Sequence, residues 1–168
     1  MYKLAFIVFI WPSVVFAQAD EMTLKRKAYK AMVSKLLSHT VAELEVTDSL
    51  PEGAIFLDAR AKGEYQVSHI DGAKYVGYDD FKINRLKDLN KNIPIIVYCS
   101  VGYRSEKIAE KLEKAGYEQV YNLLGGIFEW HNSGLEVIDS EGVITDDIHG
   151  YNSLWGQWLD SANVVYKP

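Results

Sequence analysis

The only cysteine of the chain begins a short segment that could carry out nucleophilic chemistry. Cys99 follows the strongly apolar run 93–98, and the five residues after it are Ser100, Val101, Gly102, Tyr103 and Arg104. Gly102 gives the backbone the freedom that a tightly curled loop requires. When a helix follows such a loop, backbone N–H groups turn inward and the helix dipole favours an anion. The segment therefore predicts a reactive Cys99 thiolate, the nucleophilic form of the side chain.

Two features of this loop have alternative interpretations. Arg104 could either pair with an incoming anion or brace the loop. Cys99 could instead be an inert core residue, because an unpaired cysteine is commonly buried as a small hydrophobic side chain. The glycine three positions later and the arginine five positions later favour the reactive interpretation.

The elements around the loop predict an α/β fold with a mainly parallel central sheet flanked by helices. Strands are expected at 54–57, 73–78, 93–98 and 119–123, and helices at 22–37, 79–89, 105–115 and 127–132. In such folds ligands bind beyond the carboxyl ends of the strands. Asp58-Ala59-Arg60 and Cys99 both follow predicted strands, so we expect them to share one pocket.

Three blocks of sequence resemble the rhodanese-like family, in the single-domain form of these sulfurtransferases. The loop at 99–104 is similar to the family's Cys-x-x-Gly-x-Arg loop. The leading signature is similar to residues 56–60, 64–65 and 69–73, and the closing signature is similar to residues 121–130. The resemblance covers about residues 40–136, with Asp71 in place of a usual proline and Ala59 in place of a common valine.

This resemblance implies a transfer of sulfane sulfur through a persulfide on Cys99. Thiosulfate or a similar small anion would be the donor, and cyanide, a thiol or a protein cysteine the acceptor. The backbone of residues 100–104 would hold the persulfide, and Arg60 would help to bind the donor. No metal or organic cofactor is implied, and the four scattered histidines have no metal-binding spacing.

Two rival functions remain open at this point. Tyrosine phosphatases and arsenate reductases use a Cys-x5-Arg loop, whereas this chain has Cys-x4-Arg, and Tyr98 stands where phosphatases have histidine. A smaller loop fits a sulfur atom better than a phosphate. Rhodanese-like modules can also act as non-catalytic binding or regulatory domains, although many of those have lost the cysteine that this chain keeps.

The N-terminal sequence predicts export. A short basic start, an apolar run from Leu4 to Phe16 and small residues up to Ala19 have the order of a signal peptide, here 1–19. The run is shorter than the roughly 20 residues of a membrane-spanning helix, although an uncleaved anchor is the alternative. We therefore expect an exported protein, with the periplasm as its compartment and no membrane attachment after cleavage.

The remainder of the 168-residue chain is expected to form a single domain with two extensions. A helical extension at 20–39 precedes the domain at 40–136, and a C-terminal extension at 137–168 is expected to pack on the domain or to dock a partner through its aromatic residues. The net charge of −5 argues against a nucleic-acid partner, which requires a basic surface. A lone cysteine also excludes an internal disulfide.

Overall fold

The computed structural model describes residues 12–167, with side chains from Met22 onward. The helices are α1 (Pro12–Leu36), α2 (Lys62–Val67), α3 (Tyr103–Lys114), α4 (Gly126–Asn132) and α5 (Ser153–Gly156), together with a 3-10 turn at Ile83–Leu86. The strands are β1 (Ala42–Leu44), β2 (Ile55–Asp58), β3 (Lys74–Tyr75), β4 (Ile95–Tyr98), β5 (Val120–Leu123), β6 (Val137–Ile138), β7 (Ile144–Thr145), β8 (Asp147–His149) and β9 (Asn163–Val165).

Five of these strands form one parallel sheet in the order β1-β5-β4-β2-β3. In its centre Val97 pairs with Leu57 on one side and with Asn122 on the other. Because the strands are parallel, the ends of β2, β4 and β5 lie at the same edge, and Cys99 follows the central strand there. The prediction of an α/β fold with a mainly parallel sheet is confirmed.

The central strand β4 is buried on both faces, as a parallel sheet requires. Ile95, Val97 and Cys99 belong to the apolar cluster that includes the buried face of α3. Ile96 and Tyr98 belong to the opposite cluster, which includes residues of α1 and α4. This alternation follows from the period of two in a strand, and it places the Cys99 side chain on the α3 side of the sheet.

The N-terminal helix and the C-terminal segment pack on the same side of the sheet. Tyr29 of α1 is buried and donates a hydrogen bond from its hydroxyl to the Gly125 carbonyl at 2.7 Å. Its ring lies 5.7 Å from that of Trp158, and Lys25 contacts the Asp160 carboxylate at 2.9 Å. In the C-terminal segment, β6 pairs with β7 and β8 with β9, and Ile148 and Leu159 join the core.

Several elements differ from those expected from the sequence. The prediction of a helix at 79–89 was wrong, because only the 3-10 turn at 83–86 forms there. Lys82 takes an extended conformation, and the Asp80 carboxylate accepts hydrogen bonds from the side chains of Tyr75 and Arg85. The helix predicted at 22–37 begins earlier, at Pro12. Residues 1–11 of the predicted signal peptide lie outside the described residues. Within 12–167, no helix has the length and apolarity that crossing a membrane requires.

Candidate active site

Cys99 lies at the floor of a pocket at the carboxyl edge of the sheet. Its side chain is 1% exposed, and the backbone N–H of Gly102 donates a hydrogen bond to Sγ at 3.1 Å. Helix α3 begins at Tyr103, two residues earlier than expected, so the loop between Cys99 and the helix contains only three residues. The thiol therefore sits directly at a helix start, where a negative charge is favoured.

The loop backbone is fixed by hydrogen bonds from α3 and β5. Gly102 has a φ of 113°, a conformation in which glycine is strongly favoured. Its carbonyl accepts hydrogen bonds from Ser105 Oγ at 3.0 Å and from Asn122 Nδ2 at 3.1 Å. Asn122 is fully buried, and its role in holding the loop was not predicted.

The start of α4 holds the other side of the loop. The N–H of Ile127 donates to the Cys99 carbonyl at 2.9 Å, and that of Phe128 donates to the Ser100 carbonyl at 3.2 Å. Gly126 has a φ of 56°, and a Cβ there would overlap Cys99 O and lie 2.7 Å from Ser100 O. The paired glycines of the closing signature thus allow α4 to approach the loop closely.

A buried ion pair closes the rim of the loop. Arg104 donates to both carboxylate oxygens of Glu64 at 2.7 and 2.8 Å, and also to Ser100 Oγ at 2.9 Å. Burial raises the pKa of Glu64, but the hydrogen bonds and charge of Arg104 and the amide of Ala61 outweigh burial and lower it to about 2. Burial lowers the pKa of Arg104, but the hydrogen bonds and charge of Glu64, together with the neighbouring Cys99, outweigh burial and raise this pKa above its usual value.

The pocket above Cys99 has a volume of about 280 Å³. Its wall includes four residues of the loop and of the first turn of α3, namely Ser100, Val101, Tyr103 and Arg104. Three further residues come from outside the predicted domain at 40–136: Leu36 of α1, and Tyr151 and Trp155 of the C-terminal segment. The guanidinium of Arg104 lies 5.2 Å from the centre of the Tyr151 ring.

The structure brings the predicted site residues of the loop together but places Arg60 elsewhere. Arg60 is fully buried, with its guanidinium on the Asp58 carboxylate at 2.6 Å and on the Ser68 carbonyl at 2.6 Å. It is absent from the wall of the Cys99 pocket. Its charge is paired inside the protein, where it ties α2 to the end of β2, and a role of Arg60 in binding the donor stays a prediction.

Sequence reasoning did not assign Glu64, Leu36 or Trp155 to the site, although it expected the C-terminal aromatic residues to pack on the domain or to dock a partner. Glu64 had a usable signal, because the leading signature contains it. Leu36 and Trp155 had none, since each lies more than 50 residues from Cys99. Among the described residues, no group of three His, Cys, Asp or Glu side chains could hold a metal ion.

The chain matches the family model for the rhodanese-like domain over residues 42–133, which is more than half of its length. The chain belongs to the rhodanese-like family. The matched region contains Cys99, Glu64, Arg104 and the paired glycines, whereas Leu36, Tyr151 and Trp155 lie outside it.

Known relatives resemble the domain to different extents. The tRNA uridine(34) hydroxylase of Erwinia tasmaniensis is 36% identical over 95 residues, which are 53% of this chain but only 27% of the hydroxylase. The YqhL protein of Bacillus subtilis is 28% identical, with 75% of this chain and 85% of YqhL covered. The crystal structure of the BH2092 protein from Bacillus halodurans superposes with a TM-score of 0.55 at 28% identity, covering 70% of this chain and 88% of that one.

Proposed function

We propose that this protein is a sulfurtransferase that carries sulfane sulfur as a persulfide on Cys99. The observation that carries the proposal is the position of the Cys99 sulfur, which accepts the Gly102 N–H at the start of α3 and lies at the floor of an open pocket. A helix start and an aligned amide favour a negatively charged sulfur, both as thiolate and as persulfide.

The first step loads the sulfur. The Cys99 thiolate attacks the outer sulfur of thiosulfate or a similar small anionic donor, and a new S–S bond forms. The bond between the two donor sulfurs breaks, and sulfite leaves with the electron pair. Cys99 then carries a persulfide anion, stabilised by the amides of the loop at residues 100–104.

The second step returns the enzyme to its starting state. A thiophilic acceptor such as cyanide attacks the outer sulfur, the persulfide bond breaks, and the electron pair returns to Cys99. A thiol acceptor would itself become a persulfide. Because this chain has one cysteine, no second thiol of the same chain can accept the sulfur, which favours a small molecule or the cysteine of a partner protein.

The loop geometry supports sulfur transfer over phosphate chemistry. Tyr98, which stands where phosphatases have histidine, is fully buried on the opposite face of the sheet from Cys99. Its hydroxyl accepts the Ile70 N–H at 3.2 Å. Tyr98 therefore does not face the pocket in the way that a phosphatase histidine in that position would be expected to.

The hydroxylase activity of one relative is not transferred to this chain. The match spans about a quarter of that enzyme, and the acidic charge of this chain disfavours nucleic acid as a partner. The proposed partners are therefore a sulfur donor and a thiol acceptor, with no metal or organic cofactor.

The test is thiocyanate production from thiosulfate and cyanide by the reduced protein. We expect turnover in the wild-type protein, a mass increase of one sulfur atom on Cys99 after thiosulfate alone, and loss of both in Cys99→Ser. A serine variant that still forms thiocyanate at the wild-type rate would refute the mechanism.

A further inference from the structure

We propose that the Cys99 pocket selects an organic sulfane donor, in which an apolar or aromatic group carries the transferable sulfur, over the inorganic thiosulfate ion. This inference rests on the proposed sulfurtransferase function and specifies the substrate class of the same site. It follows from the charge, the lining and the volume of the pocket.

The pocket offers little uncompensated positive charge. Arg104 is the one cationic residue among the described residues that line it, and its guanidinium is held by both oxygens of Glu64. The pair is neutral in sum. Turning Arg104 toward a doubly charged ion would leave a carboxylate that is 4% exposed without its partner, which is unfavourable.

The pocket wall is instead apolar and aromatic. Leu36 lies on α1, Tyr151 and Trp155 belong to the C-terminal segment, and Tyr103 begins α3. Such side chains bind organic groups through burial of apolar surface and ring contacts. They contribute no favourable charge to a bare oxyanion.

The two C-terminal aromatic residues are held in position by the local backbone. Tyr151 adopts a φ of 63°, which is unfavourable for a tyrosine, and its N–H donates to His149 Nδ1 at 3.1 Å. Asn152 Oδ1 accepts the N–H of Trp155 at 3.1 Å. Backbone strain of this kind persists only where the surrounding structure maintains it, and it is frequent at ligand sites.

The volume also favours a donor larger than thiosulfate. The pocket volume of 280 Å³ is many times the roughly 10–15 Å³ that holds one water molecule, whereas thiosulfate has only five non-hydrogen atoms. It is close to the lower end of the range for small-molecule pockets, about 300 Å³. A single aromatic ring attached to the sulfur-bearing group would occupy the remaining space.

An aromatic thiosulfonate satisfies these requirements with balanced chemistry. The Cys99 thiolate attacks the terminal sulfur of the donor and forms an S–S bond. The bond between that sulfur and the sulfonyl sulfur breaks, and the aryl sulfinate leaves with the electron pair. Cys99 becomes the same persulfide that thiosulfate would form, and cyanide removes the sulfur as thiocyanate.

The experiment compares benzenethiosulfonate and thiosulfate as donors for the full chain, with cyanide as acceptor. We expect kcat/KM to be about tenfold or more higher for benzenethiosulfonate, since filling an apolar pocket contributes discrimination of this order. In Trp155→Ala the ratio of the two kcat/KM values is expected to fall several-fold. Because both donors are measured on one protein sample, a loss of folded protein cancels in the ratio.

The matched control is Leu154→Ala, one residue away on α5 but 66% exposed and outside the pocket wall. In this control the ratio of kcat/KM for benzenethiosulfonate to kcat/KM for thiosulfate is expected to equal that of the wild-type protein. Equal or better use of thiosulfate by the wild-type protein, or an unchanged ratio in Trp155→Ala, would overturn the inference and leave the proposed function intact. A failure of both donors to yield thiocyanate would overturn the proposed function itself.

Discussion

At the scale of single residues, the least expected feature is the pairing of Arg104 with Glu64. An arginine at the end of a reactive loop suggests an anion-binding group, yet both its contacts with Glu64 and its contact with Ser100 lie within the protein. Arg104 therefore shapes the loop as well as lining the pocket. The charge of Arg60 is likewise balanced inside the protein, by the Asp58 carboxylate, but Arg60 does not line the pocket.

The ion pair predicts a specific dependence of stability on pH. The pKa of Glu64 is about 2 in the folded protein, against an ordinary value of 4.5. Because this pKa is lowered on folding, the contribution of the Glu64 charge to the free energy of unfolding is fully present above about pH 4.5 and is lost as the pH falls toward 2. This contribution is on the order of 3 kcal/mol.

Urea unfolding of the wild-type protein and of Glu64→Gln at pH 6 and pH 2.5 measures this contribution. We expect the stability difference between the two proteins to be large at pH 6 and to shrink by about 2–3 kcal/mol at pH 2.5, because Glu64 is then partly protonated. The control Glu52→Gln changes an exposed turn residue and should track the wild-type protein. A difference between the wild-type protein and Glu64→Gln that does not change with pH would contradict the assignment.

At the scale of elements, the site depends on how closely α4 meets the loop after β4. The first amides of α4 bond the carbonyls of Cys99 and Ser100, and this contact requires a glycine at 126. The short helix α4 thus fixes the backbone of Cys99 and Ser100, while the N-cap residue of α3, Gly102, donates its N–H to the Cys99 sulfur.

Substitution of Gly126 should therefore disturb both stability and activity. Gly126→Ala adds a methyl group against two backbone carbonyls at a positive φ, and we expect a loss of about 3 kcal/mol or more. Gly134→Ala is the matched control: its φ is 79° and nothing lies within 4 Å of the added carbon, so that only about 1–2 kcal/mol is expected. Urea denaturation checks both values, and equal losses in the two variants would refute the steric argument.

At the scale of the whole molecule, residues from both ends of the described chain complete the pocket built by the domain. Leu36 comes from the end of α1, and Tyr151 and Trp155 come from the segment after β8. Glu106 of α3, fully buried, accepts the N–H groups of Ser38 and Thr40 and so fixes the connection that follows α1.

Export remains a proposal that rests on the N-terminal sequence. The α1 contacts described above begin at Lys25, so removal of residues 1–19 would leave them in place. Expression of the full chain in a bacterial host with a periplasm, followed by fractionation and N-terminal sequencing, tests the proposal. We expect a periplasmic protein beginning near residue 18 or 20; a cytoplasmic protein that keeps Met1 would contradict it.

The sequence was most informative where short-range patterns carry the structure. The β-branched run of β4 and the helical spacing of α3 predicted both elements to within a few residues, and the order of strands and helices predicted the parallel sheet. The sequence could not show β1 or α2, which are three and six residues long and have too little periodicity. Nor could it show which distant residues meet. For this reason the aromatic wall of the pocket was not assigned to the site, and Arg60 was expected at a pocket wall that it does not line.

The position of Cys99 at the floor of its pocket has a kinetic consequence. A persulfide places an additional sulfur about 2.05 Å from Sγ, inside the space that the donor has just vacated. The acceptor attacks this outer sulfur from the space that the leaving group occupied, so the leaving group departs before the acceptor reacts. Double-reciprocal plots of initial velocity against both substrates should give the parallel lines of a double-displacement mechanism. The leaving group and the acceptor should compete for the same Cys99 pocket.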